Sequence, residues 1–120
     1  MTAHLEDALA SEFPFMSDIL IDCGDGWYQL IQEMCGEIAR AHEAVGKPVD
    51  IVFYQIKEKY GQLRVYCCSR NCRIEDILDR YEEKSACVCD VCGRPGHLRT
   101  DLRWHQALCE EHYEQKKARA

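Results

Sequence analysis

The sequence predicts an α+β fold, with helices packed on a β-hairpin and a cysteine-rich C-terminal element following them. Three observations lead there. Apolar residues recur at steps of three and four from Trp27 to Val45 and again from Ile74 to Tyr81. Two runs rich in β-branched and aromatic residues, 49–56 and 63–68, flank Gly61. Cysteine and histidine then occur in two-residue-spaced pairs at 89–92 and 109–112. A chain of 120 residues is one domain, or a small domain with a metal-held extension, and is too short for a large multidomain enzyme.

Taken in order, Thr2 is placed to cap a short helix whose apolar positions are Leu5, Ala8 and Leu9, and Pro14 ends it. A short apolar run, Ile19-Leu20-Ile21, precedes Gly24-Asp25-Gly26, which supplies a chain breaker and an N-cap in Asp25. The long helix that starts there buries Trp27, Leu30, Ile31, Met34, Ile38, Ala41 and Val45, and Gly46 with Pro48 stops it. The hairpin follows. A third helix, capped by Ser69 or Asn71, presents Ile74, Ile77, Leu78 and Tyr81 on one face. The boundary falls at Lys84-Ser85-Ala86, giving an α+β domain over 1–86 and a second element over 87–120. No linker separates the two, so they are expected to pack together.

Composition narrows the class. The chain is 47% apolar and 30% charged, as globular proteins are, and no stretch approaches the roughly 18 apolar residues of a membrane span. Met1-Thr2-Ala3-His4-Leu5-Glu6-Asp7 lacks the basic and apolar regions of a secretory signal, so a cytoplasmic location is expected. A reducing compartment turns the nine cysteines away from a disulfide framework and toward metal binding. The net charge of −6 is uneven, with ten acidic against two basic residues in 1–50. An acidic front half repels phosphate backbones and suits a basic protein partner, or the imitation of nucleic acid toward one. Glu33, Glu37 and Glu43 are the residues expected to meet it.

The C-terminal segment reads Cys89-Asp90-Val91-Cys92-Gly93, then after Cys92 sixteen residues, then Cys109-Glu110-Glu111-His112. Zinc prefers four soft or borderline donors in a tetrahedron, and a Cys-x2-Cys-Gly knuckle turns tightly enough for two thiolates to grip one ion. The gap suits a hairpin that returns the second pair, and Cys109 and His112 fall one turn apart on a helix. The expectation is one structural zinc ion held by Cys89, Cys92, Cys109 and His112 in a treble-clef-like element. Cys87 is the rival sulfur. Because protein fills all four places, an open catalytic position is not expected, and the chain is read as no enzyme.

Cys67, Cys68 and Cys72 could form a second metal cluster, but they sit at a strand end without a complementary pair. A treble clef invites comparison with HNH-type nucleases. His97 and His105 are the available histidines, yet no Asp-His pair or suitably placed Asn accompanies them. Arg94, Arg99, Arg103 and the tail Lys116-Lys117-Ala118-Arg119 make a basic group with Trp104 beside it, a nucleic-acid face in the alternative reading. Trp104 itself is expected to pack as a lid over the zinc knuckle.

Four segments, 23–31 (beginning Cys23-Gly24-Asp25-Gly26-Trp27), 55–66 (beginning Gln55-Ile56-Lys57-Glu58-Lys59-Tyr60-Gly61), 89–99 (beginning Cys89-Asp90-Val91-Cys92-Gly93-Arg94-Pro95-Gly96) and 104–112 (Trp104-His105-Gln106-Ala107-Leu108-Cys109-Glu110-Glu111-His112), resemble a family of small, mostly uncharacterised phage, prophage and bacterial proteins. The resemblance runs over nearly the whole chain and carries over the Cys-x2-Cys-Gly and Leu-Cys-x2-His positions as ligands. Cys67-Cys68-x3-Cys72 departs from the family's pattern. The resemblance implies a zinc-stabilised, non-enzymatic module that binds a host protein, as an inhibitor of a defence or nucleic-acid-handling complex. A nucleic-acid-binding or regulatory zinc finger is the alternative.

Overall fold

The structure, a computed structural model, describes residues 1–68 and 72–119, with backbone alone at 72 and 73. It is mixed α and β, with helices α1 (Ala3–Glu12), α2 (Tyr28–Glu43), α3 (Cys72–Lys84) and α4 (Glu110–Arg119). Strands β1 (Leu20–Asp22), β2 (Phe53–Lys59) and β3 (Gln62–Cys67) form one sheet, and β4 (His97–Arg99) and β5 (Gln106–Leu108) a separate antiparallel pair. The ends of α3 expected at Ser69 or Asn71 lie outside the described residues.

The hairpin forms as its sequence predicts, with a two-residue connection at Tyr60 and Gly61. Both residues have positive φ, 53° and 84°, as an inward-twisting hairpin turn requires. Gly61 meets this at no cost, whereas Tyr60 is a bulky residue in the left-handed region. The Ile19-Leu20-Ile21 run adds a third strand that the sequence did not resolve. Over Leu20–Asp22 it pairs parallel to β2, with Leu20 opposite Gln55 and Ile21 opposite Ile56. Three residues are too few for periodicity to reveal a strand.

One face of the sheet builds the core. Ile21, Ile56, Leu63 and Val65 pack with Leu30, Ile31, Met34 and Ile38 of α2 and with Ile74, Ile77, Leu78 and Tyr81 of α3. The expected helical stripes are thus buried, only partly so at Ala41, with one exception. Val45 lies beyond the end of α2 and is exposed, and His42 takes the last buried place on that face. On the other face Leu20, Gln55 and Tyr66 lie in register across the three strands.

Both strand edges carry side-chain or terminal donors and acceptors. On β3 the outward amides of Leu63 and Val65 donate to Ser85 Oγ at 2.9 Å and Glu82 Oε2 at 3.0 Å. On β1 the Met1 nitrogen donates to the Ile21 carbonyl at 3.2 Å.

Thr2 and Asp25 were both expected to cap helices, and neither side chain does. Thr2 occupies the N-cap position of α1, but its backbone amide donates to Asp25 Oδ1 at 2.7 Å and its hydroxyl to Oδ2. Asp25 itself sits in a single 3-10 turn, Asp25–Trp27, that leads into α2. The two capping groups satisfy each other and so fasten the start of α1 to the start of α2. Their short polar side chains made the local signal, and a contact 23 residues away redirected it.

Candidate metal centre

The knuckle is shaped by its backbone. Gly93 has φ +80° and returns its amide to the Cys89 carbonyl at 2.9 Å, while the Cys89 amide donates to the Arg94 carbonyl at 2.9 Å. A glycine is needed where the chain reverses with that φ. β5 then runs directly into Cys109, whose carbonyl accepts the Tyr113 amide at 2.9 Å. Cys109 therefore precedes α4 rather than lying within it, a small shift from the expected helix, and His112 projects from the first turn.

These elements bring four donors together. The sulfur atoms of Cys89, Cys92 and Cys109 and a ring nitrogen of His112 all lie within 4.8 Å of one another. Cys92 Sγ is 3.8 Å from Cys109 Sγ, and His112 Nδ1 is 3.6 Å from Cys89 Sγ and 3.2 Å from Cys109 Sγ. A tetrahedral ion with bonds of about 2.3 Å to sulfur and 2.0–2.1 Å to nitrogen has edges of about 3.8 Å between sulfurs and 3.6 Å between sulfur and nitrogen. The donor set and its spacing fit a single metal site. Cys87 is exposed and stands outside this group.

The surroundings favour thiolates unequally. Burial raises the Cys89 thiol, against the opposing pull of the Cys109, Cys92 and Val91 amides. Burial also works against the Cys92 thiolate, but Arg94 Nε at 3.2 Å, the Arg94 amide and the neighbouring thiols outweigh it and bring Cys92 down to about 6. Arg94 Nη2 in turn binds Glu111 Oε2 at 2.5 Å, which fixes the guanidinium against the two sulfurs. Here a positive charge beside the thiolates offsets part of their mutual repulsion.

A second layer ties the knuckle to the α+β part. Gly26 donates its amide to the Asp90 carbonyl at 2.9 Å, and the Trp27 indole donates to the Val88 carbonyl at 2.9 Å. Asp90 is buried; its amide donates to the Ala107 carbonyl at 3.0 Å and Oδ1 accepts from Gln106 Nε2 at 2.8 Å. Burial raises the Asp90 carboxyl, while the Gln106 bond lowers it.

Compared with known proteins, the chain matches no family model, no curated protein and no solved structure. What the centre can do must therefore be read from its own geometry. The residues singled out in the sequence fall into distinct places. Arg94 is committed to the sulfurs and Glu111. Arg99 is committed too: Nε donates to the Leu108 carbonyl at 3.2 Å, Nη2 reaches Glu110 at 3.3 Å, and the guanidinium lies 4.1 Å from the Tyr113 ring centre. Arg103 is exposed at the rim of a separate groove.

Trp104 is not a lid on the knuckle. It is 52% exposed, stacks on Tyr60 at 5.1 Å between ring centres, and donates from Nε1 to both oxygens of Glu58 at 2.9 and 3.0 Å. The β4–β5 loop thus leans on the β2–β3 turn instead of folding back over the metal donors. His97 is exposed on β4, and the His105 ring stands edge-on to Tyr60 at 6.5 Å.

Among the acidic residues, Glu37 accepts from Arg80 Nη2 at 2.8 Å and from the Tyr81 hydroxyl. Glu33 lies 3.7 Å from Lys84 Nζ, and Glu43 is exposed. Cys67 is partly buried, Cys68 Sγ accepts the Val52 amide at 3.3 Å, and the Cys72 side chain lies outside the described residues. Sequence reasoning missed Gly24 and Gly26 as the seat of the knuckle. Their signal was the Gly-Asp-Gly triplet, which reads locally as a turn alone.

Proposed function

We propose that the chain is a non-enzymatic protein-binding module whose C-terminal element is a treble clef held by one structural zinc ion. The donor set carries this reading. Three thiols and an imidazole are what zinc takes in closed structural sites, and they leave no coordination place for water or substrate. Knuckle, β4–β5 hairpin and the first turn of α4 follow one another as a treble clef requires. Zinc would supply folding free energy, about 10–16 kcal/mol in small zinc-dependent folds, and not reaction chemistry.

The partner surface is best supported on the open face of the three-stranded sheet. Leu20, 61% exposed, and Tyr66, 41% exposed, flank Gln55 in one row, and aromatic groups of this kind are enriched where proteins meet. Glu33 and Glu37 already face Lys84 and Arg80, which leaves Glu43 as the acidic residue of that set with no ion pair among the described residues. Following the resemblance to phage and prophage proteins, the partner would be a cytoplasmic host protein from a defence or nucleic-acid-handling complex, blocked by occupancy. Among the described residues no helix is long and apolar enough to cross a membrane.

Photo-crosslinking from positions 20 and 66 in host lysate, read by mass spectrometry, tests this. One protein should be captured in stoichiometric yield, lost with Leu20→Arg plus Tyr66→Arg and kept with Glu33→Lys plus Glu43→Lys. The reverse pattern would return the contact to the acidic set, and no capture would overturn protein binding. Cobalt substitution checks the closed site independently, since added azide should leave its absorption spectrum unchanged.

A further inference from the structure

A groove beside the β4–β5 loop carries a charge opposite to that of the chain as a whole. Its volume is about 520 Å³, and Leu102, Arg103, Trp104, Gln106, Lys116 and Arg119 line it. The chain carries a net charge of −6, yet this lining holds three cations and no acid. Among the described residues, Arg103, Lys116 and Arg119 have no carboxylate within ion-pair distance, in contrast to Arg80, Arg94 and Arg99.

Helix periodicity explains the charge segregation. Lys116 and Arg119 are one turn apart on the α4 face that bears His112 and Gln115, and a smaller cavity of about 130 Å³ shares Gln106, Lys116 and Arg119 with the groove. Glu110 and Glu111 lie off that face and are held by Arg99 and Arg94. Two acids of α4 are thus taken up by Arg94 and Arg99, and the groove cations keep no ion pair among the described residues.

Trp104 gives the groove a second recognition element. Its ring is fixed at one face by Tyr60 and at its nitrogen by Glu58, so an exposed aromatic surface is held in place beside the three cations. Fixed aromatic rings next to phosphate-binding cations are the parts that single-stranded nucleic-acid sites use, because every base has a face to stack and every nucleotide a phosphate. An acidic peptide would use the cations and leave the ring idle. A duplex hides its base faces, and its long anionic backbone would run against the acidic remainder of the chain.

We propose that the Trp104–Arg103–Lys116–Arg119 groove binds a short unpaired stretch of nucleic acid, with a base on Trp104 and phosphates on the three cations. This site is distinct from the sheet face assigned to a protein partner, and either can stand without the other.

The test uses zinc-loaded full-length protein and a labelled thymidine decanucleotide, followed by fluorescence anisotropy. Binding should appear at low salt, with a log–log salt slope of about −2 for three cations on a single strand. Arg103→Ala with Lys116→Ala should cut the slope to about −0.7. Trp104→Ala should weaken binding about tenfold or more, and Trp104→Tyr should restore most of it. Because Trp27 is fully buried and Trp104 is exposed, the native protein's tryptophan fluorescence should be quenched as the strand binds. Unchanged zinc content and circular dichroism keep each variant interpretable. No binding at low salt, equal binding by the cation and Trp104 variants, or equal competition by a glutamate decamer or a matching duplex would overturn the proposal.

Discussion

The Trp27 indole nitrogen donates to the Val88 carbonyl at 2.9 Å, joining the first turn before α2 to the chain entering the knuckle 61 residues later. Trp27 is fully buried in the core, so the residue that anchors the α+β part also fixes one end of the metal element. Trp27→Phe keeps most of the apolar surface and removes the donor, leaving a carbonyl unsatisfied. Stability should fall by about 1–3 kcal/mol, measured by urea unfolding of the metal-loaded protein. A change below 0.5 kcal/mol, roughly the scatter of neutral substitutions, would contradict the role given to this bond.

Gly26 is a steric requirement where the α+β part meets the knuckle. A Cβ there would stand 2.3 Å from the Cys89 carbonyl oxygen, 2.6 Å from the Asp90 carbonyl carbon and 2.7 Å from the Cys92 amide nitrogen. All three are backbone atoms and cannot swing aside as a flexible side-chain end could. Gly26→Ala is expected to destabilise by about 1–3 kcal/mol and to weaken metal binding together with it. Gly36, whose Cβ would meet only the Arg40 side chain at 3.3 Å, is the control: there alanine should be neutral or stabilising.

Metal content and removal test the four donors. One zinc per chain is expected by elemental analysis. Chelation should lose near-ultraviolet dichroism from the C-terminal element and lower the midpoint of thermal unfolding, reversibly on zinc return. Cys109→Ser should behave as the chelated protein does, and Cys87→Ser as the wild type. Normal zinc content in Cys109→Ser would refute the ligand assignment.

Arg94 donates to two of the sulfurs without being one of the four metal-donor residues. Arg94→Ala removes the contact at 3.2 Å from Cys92 and frees Glu111 to face the thiolates. Zinc affinity should drop about tenfold or more in chelator competition, as outer partners of metal ligands usually cost when lost. Arg99→Ala should leave affinity nearer to wild type, since Arg99 reaches the Leu108 carbonyl and Glu110 rather than a sulfur.

The Glu37–Arg80–Tyr81 contact between α2 and α3 sets two pH limits. The hydrogen bonds from Arg80 and then Tyr81 hold the Glu37 carboxyl below the ordinary glutamate value. Its contribution is complete above the unfolded pKa of about 4.3 and is lost as pH falls through the depressed folded value. Burial first, and Glu37 second, raise the Tyr81 hydroxyl to about 12. That contribution is complete below about 10 and fades as pH rises toward 12. Denaturation curves of Glu37→Gln should show a weaker dependence in the acid window, while Tyr81→Phe should flatten the alkaline one.

Much of this architecture was legible because the signals were long or repeated. The stripe from Trp27 to Ile38, the paired strand runs around Gly61 and the two metal pairs each agree across several residues. What the sequence hid was decided by partners distant along the chain. Leu20–Asp22 becomes a strand only because β2 lies beside it, and Trp104 turns away from the knuckle because Tyr60 and Glu58 receive it. Thr2 and Asp25 look like caps until they find each other. The basic group divided for a similar reason, since Arg94 and Arg99 are engaged by Glu111 and Glu110 while Arg103 has no ion pair among the described residues.

The side-chain bonds along β3 bear on how the molecule behaves when crowded. An uncovered strand invites a neighbouring chain to add itself, and repetition of that step is how ordered aggregates grow. With the amides of Leu63 and Val65 already engaged by Ser85 and Glu82, an incoming strand must first displace two internal acceptors. Polymerisation through this edge therefore starts with a barrier, and the exposed Leu20 and Tyr66 can remain on the surface without turning the sheet into a template.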